Sequence, residues 1–153
     1  IEDDFLEAEK LAWELHCANV SHIKVAERGE LEWFHRCPLR LHNFHRDSLF
    51  SFRHKSIQEF LVGSFLVRRL KADRAEEELS KLSLGTDLPV LWAFRDILAG
   101  LNAENDEARQ EVSCIKERLL ENVFASRDRP GKGQCAANSI SLLNAAGFPL
   151  TGH

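Results

Sequence analysis

The chain has 153 residues, of which 44% are hydrophobic and 29% are charged, and its formal net charge is −4. These fractions are close to those of ordinary globular domains, so composition excludes disordered, collagen-like and coiled-coil classes. No run of 18 apolar residues occurs and the N-terminus lacks a basic-then-apolar signal pattern, so the sequence predicts no membrane span. It contains no methionine and begins at Ile1, and we expect it to be part of a longer polypeptide.

Charge is unevenly distributed along the chain. Residues 1–33 carry nine acidic and three basic side chains, which gives −6. Residues 34–74 carry three acidic and nine basic side chains, which gives +6, and residues 75–153 carry twelve and eight, which gives −4. The basic block at 34–74 either forms a surface that faces an anionic ligand or forms ion pairs with the acidic segments of the same chain.

In the first half, the sequence predicts two helices and a hairpin. Acidic residues at 3 and 4 followed by apolar residues at 3.6-residue spacing predict a helix over roughly residues 4–18. The segment ELEWFHRC at 30–37 is a second, short helical candidate that Pro38 ends. Strict alternation at 39–43 and again at 49–53 predicts a small β-hairpin.

From residue 54 onward the periodicity is helical. A broad apolar face predicts a central, buried helix after the hairpin, and its members are Ile57, Phe60, Leu61, Phe65 and Leu66. Helical spacing returns in AEEELSKLSL, in 88–101, in 107–124 and in AANSISLLNAA, which Gly147 closes; DRPGKG at 128–133 has the composition of a linker. The predicted fold is mainly α, a winged-helix-like unit with a small β-hairpin followed by an α-helical bundle.

The cysteines and histidines offer a weak case for zinc. Seven candidate ligands lie within thirty residues, namely His16, Cys17, His22, His35, Cys37, His42 and His45. Only His42-x-x-His45 and His35-x-Cys37 come near the ligand spacing of structural zinc sites, and no CxxC occurs. We therefore predict no metal site; surface histidines and buried cysteines in a reducing environment are the simpler interpretation, with a zinc-dependent structural domain as a minor alternative.

Catalytic motifs are also missing. No local signature around any cysteine supports a nucleophile, and the acidic residues cluster on solvent-facing helical runs. The phosphate-binding pattern GxxxxGK[ST] is absent, and Gly131-Lys132-Gly133 follows no predicted strand. We predict that the chain by itself is not an enzyme and has no catalytic residues.

Winged helices often bind DNA, which makes nucleic-acid binding the alternative function. A recognition helix needs several exposed polar or basic side chains that reach base edges. The helix after the hairpin offers mostly apolar residues, although Arg46, Arg53 and Lys55 could touch a phosphate backbone. This alternative predicts salt-dependent binding to duplex DNA.

The segment FSFRHKSIQEFL at 50–61, together with LAWELH at 11–16, resembles the winged-helix segment that follows the nucleotide-binding core of NACHT-type signalling ATPases. These STAND-class proteins include NOD-like receptors and many bacterial and fungal defence proteins. The matching positions are Phe52, His54, Gln58, Glu59, Phe60 and Leu61. The sequence departs from the family pattern at Ile57, where phenylalanine is usual, and at Val62-Gly63, where two alanines are frequent.

The resemblance implies a role for His54. In the family, the histidine of this motif contacts the β-phosphate of ADP held by the neighbouring NACHT domain, so His54 is the candidate cofactor-binding residue for ADP or ATP. We expect Gln58 and Glu59 to fix the helix against its neighbours and Phe52 and Phe60 to belong to the core.

The resemblance also divides the chain into a winged-helix domain at 1–72, a helical domain at 73–127, and a linker with the start of a C-terminal region at 128–153. It implies an ATPase domain before Ile1 and a repeat sensor after His153 as intramolecular partners. It further implies homo-oligomerisation on activation and a cytoplasmic location. Membranes and nucleic acids are not expected partners.

Overall fold

The computed structural model describes residues 2–24, 36–42 and 49–151. By their contacts, the residues group into two compact units, Ile1–Val62 and Gly63–His153. The division falls ten residues before the predicted boundary at 72, inside a helix, and residues 128–151 group with the second unit. The secondary structure is mainly helical with one small antiparallel sheet, as the sequence predicts.

Helix α1 covers Glu2–Cys17 and confirms the first predicted helix. Three acidic residues lie in its first turn, where the helix dipole favours negative charge. Its buried side chains are Ala8, Glu9, Leu11, Ala12, Trp13 and Leu15. At its end, Asn19 adopts a positive φ of 52° while the amide of Val20 donates to the Leu15 carbonyl at 3.0 Å, so a Schellman motif satisfies the last carbonyls.

The sheet of the first unit contains β1 (Ile23–Lys24), β2 (Leu39–Leu41) and β3 (Leu49–Phe52) in the order β1-β3-β2, with both pairs antiparallel. Leu39 pairs with Phe52 and Ile23 pairs with Phe50, which places these apolar side chains on one face. The predicted hairpin is confirmed. Strand β1 was not predicted, because two residues are too few for an alternation signal. The predicted helix at 30–37 lies largely outside the described residues.

Helix α2 covers Lys55–Lys71 and confirms the predicted central helix. Its buried residues recur along most of its length and are Gln58, Leu61, Val62, Gly63, Phe65, Leu66, Val67 and Leu70. Arg68, Arg69 and Lys71 occupy the last turn, where positive charge complements the helix dipole. Asp73, with φ of 55°, ends the helix in a second Schellman motif.

The second unit continues with α3 (Glu76–Leu79), α4 (Leu88–Glu104), α5 (Asp106–Ala125) and α6 (Gly133–Ala145). Pro89 lies in the first turn of α4, where its missing N–H leaves no hydrogen bond unmade. Asn105 caps α5 by accepting from the amide of Ala108 at 2.8 Å. The helical second half is thus confirmed over residues 63–151. Within the described ranges, no helix is long and apolar enough to cross a membrane.

Helix α6 is joined to the rest of the second unit by a buried asparagine. The Asn138 side chain is 1% exposed; it accepts from the Leu84 amide at 2.8 Å and donates to the Leu79 carbonyl at 2.7 Å. The α6 side chains that enter the core include Cys135, Leu142 and Leu143. Helix α6 is therefore part of this core.

Candidate functional site

His54 lies at the junction between the sheet and the central helix of the first unit. Strand β3 ends at Phe52 and α2 begins at Lys55, so His54 is the last residue before the helix. Its carbonyl accepts from the Ile57 amide at 3.1 Å, and its side chain is exposed. The first turn of α2 contains no acidic residue, so the helix dipole at this end faces no negative side chain of its own helix.

The preceding residue anchors this junction to strand β2. The amide of Arg53 donates to the Pro38 carbonyl at 2.9 Å, and its Nε donates to the Leu39 carbonyl at 3.4 Å. These bonds hold the backbone on the N-terminal side of His54 to the sheet. The exposed imidazole is therefore carried by a fixed backbone, which a contact to a bound group requires.

The other motif residues have different environments. Phe52 is 5% exposed and Gln58 is 8% exposed, so the core prediction for Phe52 is confirmed. The Glu59 side chain is mostly buried and lies 3.8 Å from Lys55 Nζ. The core prediction for Phe60 is wrong, because its side chain is 47% exposed. Phe60 belongs to the apolar face of α2 by spacing, but that face is wider than the surface packed against it.

Phe60 lines an open cavity of about 390 Å³ in the first unit, which we call the α1–α2 groove. Its apolar lining residues are Phe5, Ala8, Cys37, Pro38, Ile57, Phe60 and Leu61. Phe5 is 44% exposed and lies on α1, so two partly exposed phenylalanines border the groove. Ile57 is three residues after His54, which places the groove beside the junction. The groove cannot be predicted from local sequence patterns, because its lining residues come from three separate segments of the chain: α1, residues 36–38 and α2.

An ion pair forms the polar part of the groove. Arg36 Nε lies 2.8 Å from Asp4 Oδ2, and Arg36 Nη2 donates to Asp4 Oδ1 at 3.1 Å. The Cys37 thiol donates to the Asp4 carbonyl at 3.8 Å. Burial, with a smaller contribution from the Asp4 charge, raises the pKa of Cys37 from 9.0 to about 11. The thiol is therefore protonated at neutral pH and is a poor nucleophile.

Some residues of the basic block form ion pairs with acidic residues of their own unit. Arg36 pairs with Asp4, Arg69 Nη2 lies 2.7 Å from Glu78 Oε1, and Lys71 Nζ lies 2.6 Å from Glu111 Oε2. These contacts neutralise part of the block within the chain, whereas Arg53 and Lys55 are exposed. Among the residues proposed for phosphate contacts to DNA, Arg46 lies outside the described residues.

The seven candidate zinc ligands form no group of three or more in the described part of the chain. No group of three or more histidine, cysteine, aspartate or glutamate side chains there could hold a metal ion. Cys37 and Cys135 are buried, and burial raises the pKa of Cys135 as well. His35 and His45 lie outside the described residues.

Comparisons with known proteins return no match: no protein-family model, curated protein or solved structure is significantly similar to this chain. The resemblance to NACHT-type ATPases and the role of His54 therefore stay predictions.

Proposed function

We propose that this chain is a regulatory, nucleotide-sensing module of a NACHT-type signalling ATPase, which stabilises the ADP-bound closed state through His54. The observation that carries the proposal is the position of His54, exposed at the start of α2 between the buried side chains of Phe52 and Gln58. The chain would supply one contact to the β-phosphate, while the P-loop domain would hold most of the nucleotide. Catalysis would belong to that domain.

The environment of His54 suits a contact to an anion. An imidazole and the N-terminal amides of a helix can converge on one phosphate. The Lys55 side chain is highly exposed, and its Nζ lies as far as 3.8 Å from the Glu59 carboxylate. The carboxylate therefore compensates the charge only in part, and positive potential remains beside His54. A charge-assisted hydrogen bond of this kind contributes about 1.5–3 kcal/mol. This energy would shift a closed–open balance by roughly ten- to a hundredfold.

We further propose that the module docks on another domain of the protein in the closed state, and the α1–α2 groove supports this step. Exposed apolar surface of this kind is typical of interaction sites. Phe5 and Phe60 would be covered in the closed state and exposed when nucleotide exchange opens the protein. Signalling in defence, a cytoplasmic location and assembly into oligomers follow from the same proposal.

The test is the ADP dissociation rate of the polypeptide that contains both this chain and the ATPase domain. We expect His54→Ala to release ADP roughly tenfold to a hundredfold faster and to raise basal signalling. His16→Ala, which removes a histidine from the far end of α1, is the control and should release ADP at the wild-type rate. An unchanged dissociation rate together with unchanged basal signalling in His54→Ala would sink the proposal.

Nucleic-acid binding receives less support from the same observations. Helix α2 commits most of its apolar side chains to packing, and Arg36, Arg69 and Lys71 of the basic block are paired with acidic side chains. A gel shift of this chain with duplex DNA at low salt separates the two functions. A complex that weakens steeply as salt rises would favour the nucleic-acid module over the ATPase module.

A further inference from the structure

Two histidines approach each other on the polar face of the sheet. His22 directly precedes β1, and His42 directly follows β2, so the two residues flank the central strand β3. Their ring centroids are 4.7 Å apart and their planes are inclined by 59°. Both residues are exposed, and neither takes part in the site around His54.

Each imidazole is held by a serine hydroxyl through one of its two nitrogens. Ser21 Oγ lies 2.7 Å from His22 Nδ1, and Ser51 Oγ, on β3, lies 2.7 Å from His42 Nε2. These bonds leave Nε2 of His22 and Nδ1 of His42 as the nitrogens for a ligand. A hydroxyl can accept as well as donate, so each ring can direct its N–H to serine and its lone pair elsewhere. Metal-binding histidines show the same arrangement, with the second nitrogen bonded to a polar group.

The spacing of the rings fits one shared metal ion. A metal–nitrogen distance of about 2.0–2.1 Å places the metal about 3.2 Å from each ring centroid. Centroids 4.7 Å apart then correspond to a nitrogen–metal–nitrogen angle of about 95°. This angle lies near the octahedral value and not far below the tetrahedral one, so both geometries that imidazole-bound metals adopt are accessible.

We propose that His22 and His42 form a two-imidazole site for a divalent transition metal ion such as Zn²⁺, Ni²⁺ or Cu²⁺. Imidazole is a preferred ligand of all three ions. Water would complete the coordination shell. A bound ion would link the ends of β1 and β2 across β3, and β1 has only two residues. Because the ion would bind the folded sheet, it would stabilise the first unit.

Two positive side chains share this face of the sheet. Arg40 pairs with Ser51, and Lys24 pairs with Leu49, so both residues lie on the same face as Ser51. Their charges lower the affinity for a dication, and salt screens this effect. The same charges make an anion the competing ligand for this surface, and the experiment must separate the two chemistries.

The test is titration of the ¹⁵N-labelled chain with ZnCl₂, followed by histidine ring spectra that resolve Nδ1 and Nε2. We expect the first resonances to move to be Nε2 of His22 and Nδ1 of His42. By calorimetry, His22→Gln and His42→Gln should each lower the Zn²⁺ affinity by roughly tenfold or more, and Ser51→Ala should lower it by a similar factor. His16→Gln, on α1, is the control and should bind as the wild type does.

Two results would overturn the proposal. One is Zn²⁺ affinity that is equal in the wild type and in both histidine variants. The other is a response of the same two rings to inorganic phosphate but not to ZnCl₂, which would identify an anion site. The histidine variants could also lose Zn²⁺ affinity because the sheet unfolds. Ser51→Ala separates this effect from loss of a ligand, because it keeps both imidazoles and removes only the hydroxyl that orients His42.

Discussion

Phe52 and Phe60 lie eight residues apart and have opposite environments. Phe52 is on β3 and is 5% exposed, whereas Phe60 is on α2 and is 47% exposed beside the α1–α2 groove. Both belong to the motif that resembles NACHT-type ATPases. Their exposure assigns them different tasks, because a buried phenylalanine stabilises the fold and an exposed one is available to a partner.

The two phenylalanines should respond differently to truncation. We expect Phe52→Ala to lower the free energy of unfolding by about 3–5 kcal/mol, since it leaves a cavity beneath the sheet. Phe60→Ala should lower it by less than about 1 kcal/mol, because its ring is already half in water. Urea unfolding followed by circular dichroism measures both. Equal losses for the two variants would mean that Phe60 is a core residue after all.

Cys37 makes the free energy of unfolding depend on pH in the alkaline range. Its pKa is raised from 9.0 to about 11 by burial, so the unfolded thiol ionises at lower pH than the folded one. The stabilising contribution is complete below pH 9.0 and is lost as the pH rises to about 11. We expect the difference in unfolding free energy between wild type and Cys37→Ala to fall across this range. A difference that stays constant would contradict the raised pKa.

At the scale of elements, a glycine sets how closely α2 approaches α4. A Cβ placed on Gly63 would lie 3.0 Å from Ala93 Cβ and 3.1 Å from the Phe94 amide nitrogen. The second neighbour is helix backbone, which cannot move independently. Glycine at position 63 therefore has a physical reason, since α4 occupies the space that a methyl group would need.

Glycine-to-alanine substitutions on α2 and α4 should change the free energy of unfolding in opposite directions. We expect Gly63→Ala to destabilise the second unit by about 1–3 kcal/mol, because overpacking exceeds the gain in helix propensity. Gly100→Ala, on α4 with nothing within 4 Å of its added Cβ, should stabilise by about 0.5–1 kcal/mol. Thermal unfolding of both variants provides the comparison. Stabilisation by Gly63→Ala would show that the helices separate easily.

At the scale of the whole molecule, the last helix decides where the second unit ends. Residues 128–153 were expected to be a linker and the start of another region. In the structure, helix α6 buries Leu142 and Leu143, and Asn138 accepts from the Leu84 amide and donates to the Leu79 carbonyl. The Lys132 ammonium also pairs with Glu76, so the segment before α6 contacts the start of α3.

Removal of this helix should unfold the second unit. We expect a chain of residues 1–127 to lose the cooperative unfolding of the second unit, because the apolar side chains covered by α6 become exposed to water. A chain of residues 1–150 is the control and should unfold as the complete chain does. Dispersion of amide resonances distinguishes the outcomes. Native-like dispersion for residues 63–127 in the shorter chain would show that α6 is dispensable.

Local patterns determined the elements of this protein. Acidic helix starts, the alternation on both sides of the hairpin and Gly147 with its φ of 74° all act within a few residues of the chain. Helices α1 to α6 and the hairpin could therefore be predicted, and so could the position of His54 at a strand-to-helix junction. Strand β1 could not, since its two residues are ordered by pairing with β3.

Only the tertiary structure decided which residues of these elements face water and which residues meet. Periodicity assigns Phe60 to an apolar face, but whether that face is covered depends on segments distant in the sequence. The same is true of the α1–α2 groove, the approach of His22 to His42 and the bonds of Asn138, which join residues up to 59 positions apart. The overall charge of −4 hides a basic block, and folding brings acidic partners to some of its residues, such as Asp4 to Arg36 and Glu111 to Lys71.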